Sequence, residues 1–142
     1  METTQQQSIT VDAVIAAPRD LVWKLWTTPD DIVQWNNASS DWHTPRAQND
    51  LRKGGKFLIR MEAKDDSAGF DFGGVYDAVI PFQSISYTME DGRKVAVTFT
   101  TMGIETKVTE TFEAEHENSI EMQRGGWQAI LDNFKHYAEK KA

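Results

Sequence analysis

Ser119 to Ala142 reads SIEMQRGGWQAILDNFKHYAEKKA, and its large apolar residues Ile120, Trp127, Ile130, Leu131, Phe134 and Ala138 recur at steps of three and four. That spacing places them on one face of an α-helix. Ser119, preceded by His116, Glu117 and Asn118, supplies a capping residue for its start. The stretch is a long one-sided helix ending a chain whose earlier parts read mostly as strands, and such a helix buries its apolar face by covering a sheet. Its anomaly is the Gly125-Gly126 pair, since each glycine inside a helix costs about 1 kcal/mol relative to alanine. Two explanations are open: the backbone packs closely against a strand there, or the missing side chains leave a hollow between helix and sheet with Trp127 at its wall.

The segments upstream supply the sheet. Ile104 to Ala114 and Lys94 to Thr101 alternate apolar and polar residues, the latter through Val95, Val97 and Phe99. Ser84 to Met89 pairs back onto Lys94 to Thr101 through Asp91-Gly92, a strong hairpin signal. Phe70 to Ile80 is a further strand, interrupted at Gly73-Gly74, where a bulge or sharp bend is expected. Lys56 to Ala63 follows the turn at Gly54-Gly55 and carries Phe57, Ile59 and Met61 in one phase. Asn36 to Asp50, with Trp42, His43 and Pro45 among polar residues, reads as a short strand or an extended loop.

At the other end of the chain, Ile9 to Ala16 is a strand with Ile9, Val11, Ala13 and Ile15 on its buried face. Pro18 opens a helix carrying Leu21, Val22, Leu25 and Trp26, and Thr27-Thr28-Pro29 ends it and starts a second, from about Pro29 to Trp35, with Asp30 and Asp31 in its first turn. Short links between strands imply antiparallel neighbours. The order predicts an α+β fold: a curved antiparallel sheet of six or seven strands around the long C-terminal helix, with two short helices after the first strand. The glycine pairs at 54–55 and 73–74 are where the sheet can bend.

Composition narrows the function. The 142 residues suit one domain with a single core. A net charge of -7, with no lysine or arginine cluster, argues against a nucleic-acid partner. With no cysteine there is no disulfide, thiol nucleophile or thiolate metal site. The opening METTQQQS lacks a basic region followed by an apolar run, and no apolar stretch approaches the length of a membrane span, so a cytoplasmic protein with no membrane partner is expected. His43, His116 and His136 form no metal motif, Asp65, Asp66 and Asp71 do not match a calcium loop, and Gly54-Gly55-Lys56 is not a phosphate loop. No metal, cofactor or catalytic constellation is expected.

Several phrases in their order and spacing resemble a known family over about residues 8–140. They are Ala16-Ala17-Pro18-Arg19-Asp20-Leu21-Val22-Trp23 with Trp26-Thr27 and Pro29, then Trp35, then Gly54-Gly55-Lys56-Phe57. Gly74-Val75-Tyr76 ahead of Pro81, Ile85-Ser86-Tyr87, Asp91-Gly92-Arg93, Gly126-Trp127 and Leu131-Asp132-Asn133-Phe134 continue the series. The chain resembles the helix-grip fold of the START and birch-pollen-allergen superfamily (SRPBCC), and within it the branch called activator of heat-shock-protein-90 ATPase homologue-like. The resemblance implies a deep cavity between sheet and final helix that takes apolar or amphipathic small molecules. It does not fix one function, since fold-mates include lipid carriers, polyketide cyclases and chaperone co-factors.

The apolar phases of the strands give Phe57, Ile59, Met61, Tyr76, Tyr87, Val97 and Phe99 as lining candidates, and the helices add Trp26, Trp35, Met122, Trp127 and Ile130. Trp42 and His43 are candidates for the cavity mouth, although His43 also reads as an exposed loop histidine. Glu110 shares its phase with Val108 and Phe112, so it points inward unless a bulge turns it to solvent, and an inward carboxylate is costly without a partner. Gln123 and Arg124 reach a ligand head group, or Arg124 pairs with surface acids. Three functions follow: binding of a hydrophobic or amphipathic, lipid- or polyketide-like molecule; a co-chaperone-like domain docking on a chaperone or other protein; or a cyclase or hydrolase using Glu110 or His43. The first is preferred.

Overall fold

A computed structural model describes residues 7–142. The reading of the opening residues as free of a leader concerns residues 1–6 and lies outside them. The elements run β1 (Ser8–Ile15), α1 (Arg19–Thr27), α2 (Pro29–Trp35), β2 (Trp42–Asn49), β3 (Lys56–Ala63), β4 (Gly69–Ile80), β5 (Ser84–Met89), β6 (Lys94–Met102), β7 (Glu105–Glu113) and α3 (Ile120–Lys141). All seven strands join one antiparallel sheet in the order β1-β7-β6-β5-β4-β3-β2. β2 to β7 form an uninterrupted meander. β1 then pairs with β7, so the α1–α2 segment carries the chain from one edge of the sheet to the other.

The segment left open between strand and loop is a strand, β2, with its register shifted between His43 and Arg46. Its apolar content is low because it is an edge strand whose residues face α2 or solvent as often as the core. The bend expected at Gly73-Gly74 lies elsewhere. β4 runs through the glycines without a break, and its irregularity falls between Tyr76 and Ala78, opposite β5. Gly74 answers a different need: it pairs across the ladder with Phe57, and a Cβ there would stand 2.6 Å from the Thr88 carbonyl oxygen and 3.1 Å from the Phe57 ring. The missing side chain lets an aromatic ring lie against the strand, a known way of stabilising a glycine within a sheet.

α3 lies across the concave face. Ser119 caps it by accepting the Met122 amide at 3.1 Å, and Leu131, Phe134 and Ala138 are fully buried. Trp127 stacks on Phe112 of β7, ring centroids 3.9 Å apart and planes 10° from parallel. The helix also covers the open edge of β1. Gln128 Nε2 donates to the Asp12 carbonyl at 3.0 Å, Lys135 Nζ donates to the Val14 carbonyl at 2.7 Å, and Glu139 Oε2 accepts the Ala16 amide at 2.9 Å. Those three contacts satisfy backbone groups that an exposed edge would offer to another chain. On the opposite side the α1–α2 hairpin docks through Trp26, Trp35 and Phe134, whose ring centroids lie 4.7–4.9 Å from one another. Trp35 Nε1 donates to the Leu25 carbonyl at 3.0 Å, which fixes the angle of the hairpin.

Neither explanation of Gly125-Gly126 holds. Both glycines are exposed, and a Cβ at either would meet nothing within 4 Å, so no strand packs against them and they are not part of a cavity wall. Gly125→Ala and Gly126→Ala are each expected to raise stability by up to about 1 kcal/mol through helix propensity alone. Gly74→Ala is expected to cost roughly 1–3 kcal/mol, since the strand or the Phe57 ring must move. Urea denaturation of the three variants checks both signs.

Candidate ligand-binding cavity

The sheet curls further than one helix can fill. Between β3, β4, β5 and the N-terminal half of α3 lies a cavity of about 270 Å³. Phe57, Ile59 and Met61 of β3, Phe72 and Tyr76 of β4, and Ile85, Tyr87 and Met89 of β5 form its floor. Trp127 and Ile130 of α3 form the roof, and Trp26, Ile32, Trp35 and Asn36 close the end next to the α1–α2 hairpin. Phe70 lines it while remaining 49% exposed, which puts that ring at the mouth, against Trp42 at 5.8 Å. The rings brace one another: Phe57 meets Tyr87 edge-on at 4.8 Å and Tyr76 at 5.3 Å, and Phe72 meets the edge of Trp127 at 6.2 Å. The hollow keeps its shape because its walls are interlocked aromatics.

A family model described as activator of Hsp90 ATPase homolog 1-like protein matches residues 16–139. The chain belongs to that family. The solution structure of an AHSA1-like protein from Aeromonas hydrophila is 46% identical and superposes with a TM-score of 0.90, over 95% of this chain and 94% of that one. A Cytophaga hutchinsonii protein is 49% identical, with a TM-score of 0.82 over 94% and 93%. At 20% identity a Chromobacterium violaceum protein still gives a TM-score of 0.83, over 93% and 96%, which shows the fold alone. Among curated proteins none matches.

Against this family fold, many of the residues expected at the site come together: Trp26, Trp35, Phe57, Ile59, Met61, Tyr76, Tyr87, Glu110, Trp127 and Ile130 all line the cavity. The others do not. Val97 is fully buried outside the lining, Arg124 is exposed, and Met122 is 64% exposed on the outer side of α3. Gln123 is buried, but its amide is consumed locally: Oε1 accepts the Glu115 amide at 2.9 Å and Nε2 donates to the carbonyls of Glu115 and Asn118. It fastens the β7–α3 loop. Phe99 is buried deeper, edge-on to Trp23 at 5.2 Å. Trp42 touches Phe70 beyond the cavity wall. His43 pairs across the ladder with Glu62 on the convex side, Nε2 to Oε1 at 3.7 Å, so it faces away from the hollow.

The sequence reading missed Phe70 and Phe72, although they share the phase of Tyr76; treating Gly73-Gly74 as a break hid the continuity. Ile85 and Met89 flank Tyr87 at two-residue spacing and were equally legible. Asn36, Gln48, Asn49 and Arg93 carried no signal, because their place depends on tertiary docking of a helix end, an edge strand and a turn.

Glu110 is the site's electrostatic centre. It sits on β7 between cross-strand partners Val11 and Val97, is 5% exposed, and forms no hydrogen bond or ion pair among the described residues. Burial alone pushes its carboxyl from an ordinary 4.5 to about 8. Its neutral form therefore predominates at pH 7. The Tyr87 hydroxyl likewise has no hydrogen-bond partner among the described residues, and its pKa is raised by burial and then by the nearby Glu110. Tyr76 differs, since its hydroxyl donates to Asn49 Oδ1 at 2.5 Å. The Asn36 side-chain Nδ2, at the end of α2, is a buried donor with no acceptor. Two cavity-lining sheet groups, Glu110 and Tyr87, thus have unspent hydrogen-bonding capacity, which is costly unless something else satisfies it.

The raised carboxyl has a definite sign in stability. Between about pH 4.5 and 8 the folded protein holds a proton at Glu110 that the unfolded chain has released, so stability falls as pH rises through that window. Wild type is expected to lose about 1.4 kcal/mol per pH unit there from this group. Glu110→Gln keeps the shape and removes the titration, so its stability is expected to stay level from pH 5 to 8. Urea midpoints of both proteins across that range check it; parallel curves would mean that Glu110 ionises freely.

Proposed function

We propose that this protein binds a compact, mostly apolar small molecule in the cavity between sheet and α3, with Glu110 and Tyr87 orienting its polar groups. The observation that carries the reading is the combination of a 270 Å³ hollow walled by interlocked aromatics with two lining polar groups, Glu110 and Tyr87, that have no hydrogen-bond partner among the described residues. Small-molecule sites have this composition, and their volumes begin at roughly 300 Å³, so the space suits one or two rings better than a diacyl lipid. The family comprises hydrophobic-ligand binders and co-chaperones, and the geometry favours the first. The co-chaperone reading rests on the family description alone.

An enzymatic reading is weaker. Glu110 has no acid or base within hydrogen-bond reach among the described residues, and His43 lies on the other face of the sheet. Among the described residues no helix is long and apolar enough to cross a membrane, and no three His, Asp or Glu side chains gather as a metal site. The same proposal places the protein in the cytoplasm.

N-phenyl-1-naphthylamine, a neutral apolar dye, is expected to bind wild type saturably at one site and to quench tryptophan emission, because Trp26, Trp35 and Trp127 line the cavity. Met61→Trp fills the hollow from β3. It should weaken the dye at least tenfold while circular dichroism and cooperative unfolding persist. Undiminished dye binding by the filled variant would place the site elsewhere.

A further inference from the structure

We propose that the natural ligand is a hydrophobic organic cation, an amine on an aromatic or alicyclic body, whose ammonium group pairs with Glu110. This rests on the cavity reading above and adds the charge of the ligand. Among the cavity-lining residues only Glu110 and Arg93 carry formal charge. Arg93 is already engaged: its Nε donates to Asp91 at 2.8 Å and its Nη1 to the Glu113 carbonyl at 3.1 Å. Its charge is felt at Tyr87, whereas burial is the sole influence at Glu110. The carboxyl therefore has no cation among the described residues to pair with when it ionises.

The surroundings of Glu110 are suited to a positive charge from outside. The groups facing the cavity beside it are Tyr87 of β5 and Tyr76 of β4, with Arg93 in the turn beyond them; the neighbours on β1 and β6 are Val11 and Val97, and α3 offers Trp127 and Ile130. Trp and Tyr faces attract an ammonium group through the ring quadrupole, most strongly where water is excluded. An ion pair formed in this apolar setting stabilises the ionised form of a carboxyl that burial otherwise favours protonated. A carboxylic acid ligand would meet the opposite situation, two carboxyls in one apolar space, and a neutral alcohol would gain one hydrogen bond without the charge.

The proton balance follows. Glu110 is mainly protonated in the empty protein below pH 8, so an ammonium ligand that binds the ionised carboxylate releases one proton to solvent. Its affinity then rises about tenfold per pH unit from pH 6 to pH 7 and levels off above 8, until the amine loses its own proton near pH 10.

The test uses three isosteric probes on the full chain by titration calorimetry: 3,3-diphenylpropylamine, 3,3-diphenylpropan-1-ol and 3,3-diphenylpropanoate. At pH 8 the amine is expected to bind at least tenfold tighter than the alcohol and the acid weakest of all. From pH 6 to 7 the amine should gain about tenfold while the alcohol stays constant. Glu110→Gln, its fold checked by circular dichroism, should bind amine and alcohol alike, and wild-type pH dependence stands as evidence independent of that variant. An alcohol that binds as tightly as the amine, an amine affinity flat in pH, or no binding by any of the three while N-phenyl-1-naphthylamine still binds would overturn the cation and leave the cavity standing. Failure of the dye as well would remove both.

Discussion

A seven-stranded antiparallel sheet must bury one face, and here a single helix is all that the chain provides to cover most of it. That mismatch in width governs the molecule. α3 is clamped along β1 by Gln128, Lys135 and Glu139, which places it toward one side of the concave face rather than over its centre. The α1–α2 hairpin fills the other end, where Trp26, Trp35 and Phe134 form a solid three-ring contact. What α3 covers only along one side lies over β3, β4 and β5, where the side chains of the sheet meet mainly one another and only Trp127 and Ile130 of α3 reach over them. The hollow therefore follows from where the helix is anchored.

The aromatic content is what makes the hollow durable. Aliphatic walls around empty space can relax inward and reduce the void, as large-to-small core substitutions show. Ring walls resist this because each ring is held by its neighbours. Phe57 is pinned over Gly74 on one side and against Tyr76 and Tyr87 on the other. Trp127 is held flat on Phe112, and it brings α3 to the sheet at the point where the cavity begins. The Trp127 stack thus serves both the attachment of the helix and the limit of the open space.

How far this could be read from the sequence depended on whether a signal was local. The element order, the curled sheet and the position of the final helix followed from alternation and from three- and four-residue spacing, and the structure bears them out. Phase also placed Glu110 correctly, since a central strand with Val108 and Phe112 inward has no freedom to turn the residue between them. Glycines were read less well. The pair in α3 is exposed helix surface with no packing or cavity role, and the pair in β4 serves close approach of Phe57 instead of a bend. A glycine states that a side chain is missing without stating what occupies the space. Gln123 misled in a related way: its position in the helix fits a ligand contact, but the loop carbonyls it satisfies come from Glu115 and Asn118, whose course no periodicity reveals.

Glu110 also shows why a costly residue can stay where it is. β7 is paired on both sides, residue for residue, with β1 and β6. Moving the carboxylate to solvent by a one-residue slip would turn Thr106, Val108 and Phe112 outward with it and break the Trp127 stack. The register that the rest of the strand requires holds the carboxyl inside. An apolar residue of similar size would satisfy the same register without the desolvation penalty, so packing alone gives no reason for a carboxylate at this position. The proposed function supplies a reason, since an acid on the cavity wall with no hydrogen-bond partner among the described residues is placed to meet a ligand's polar group.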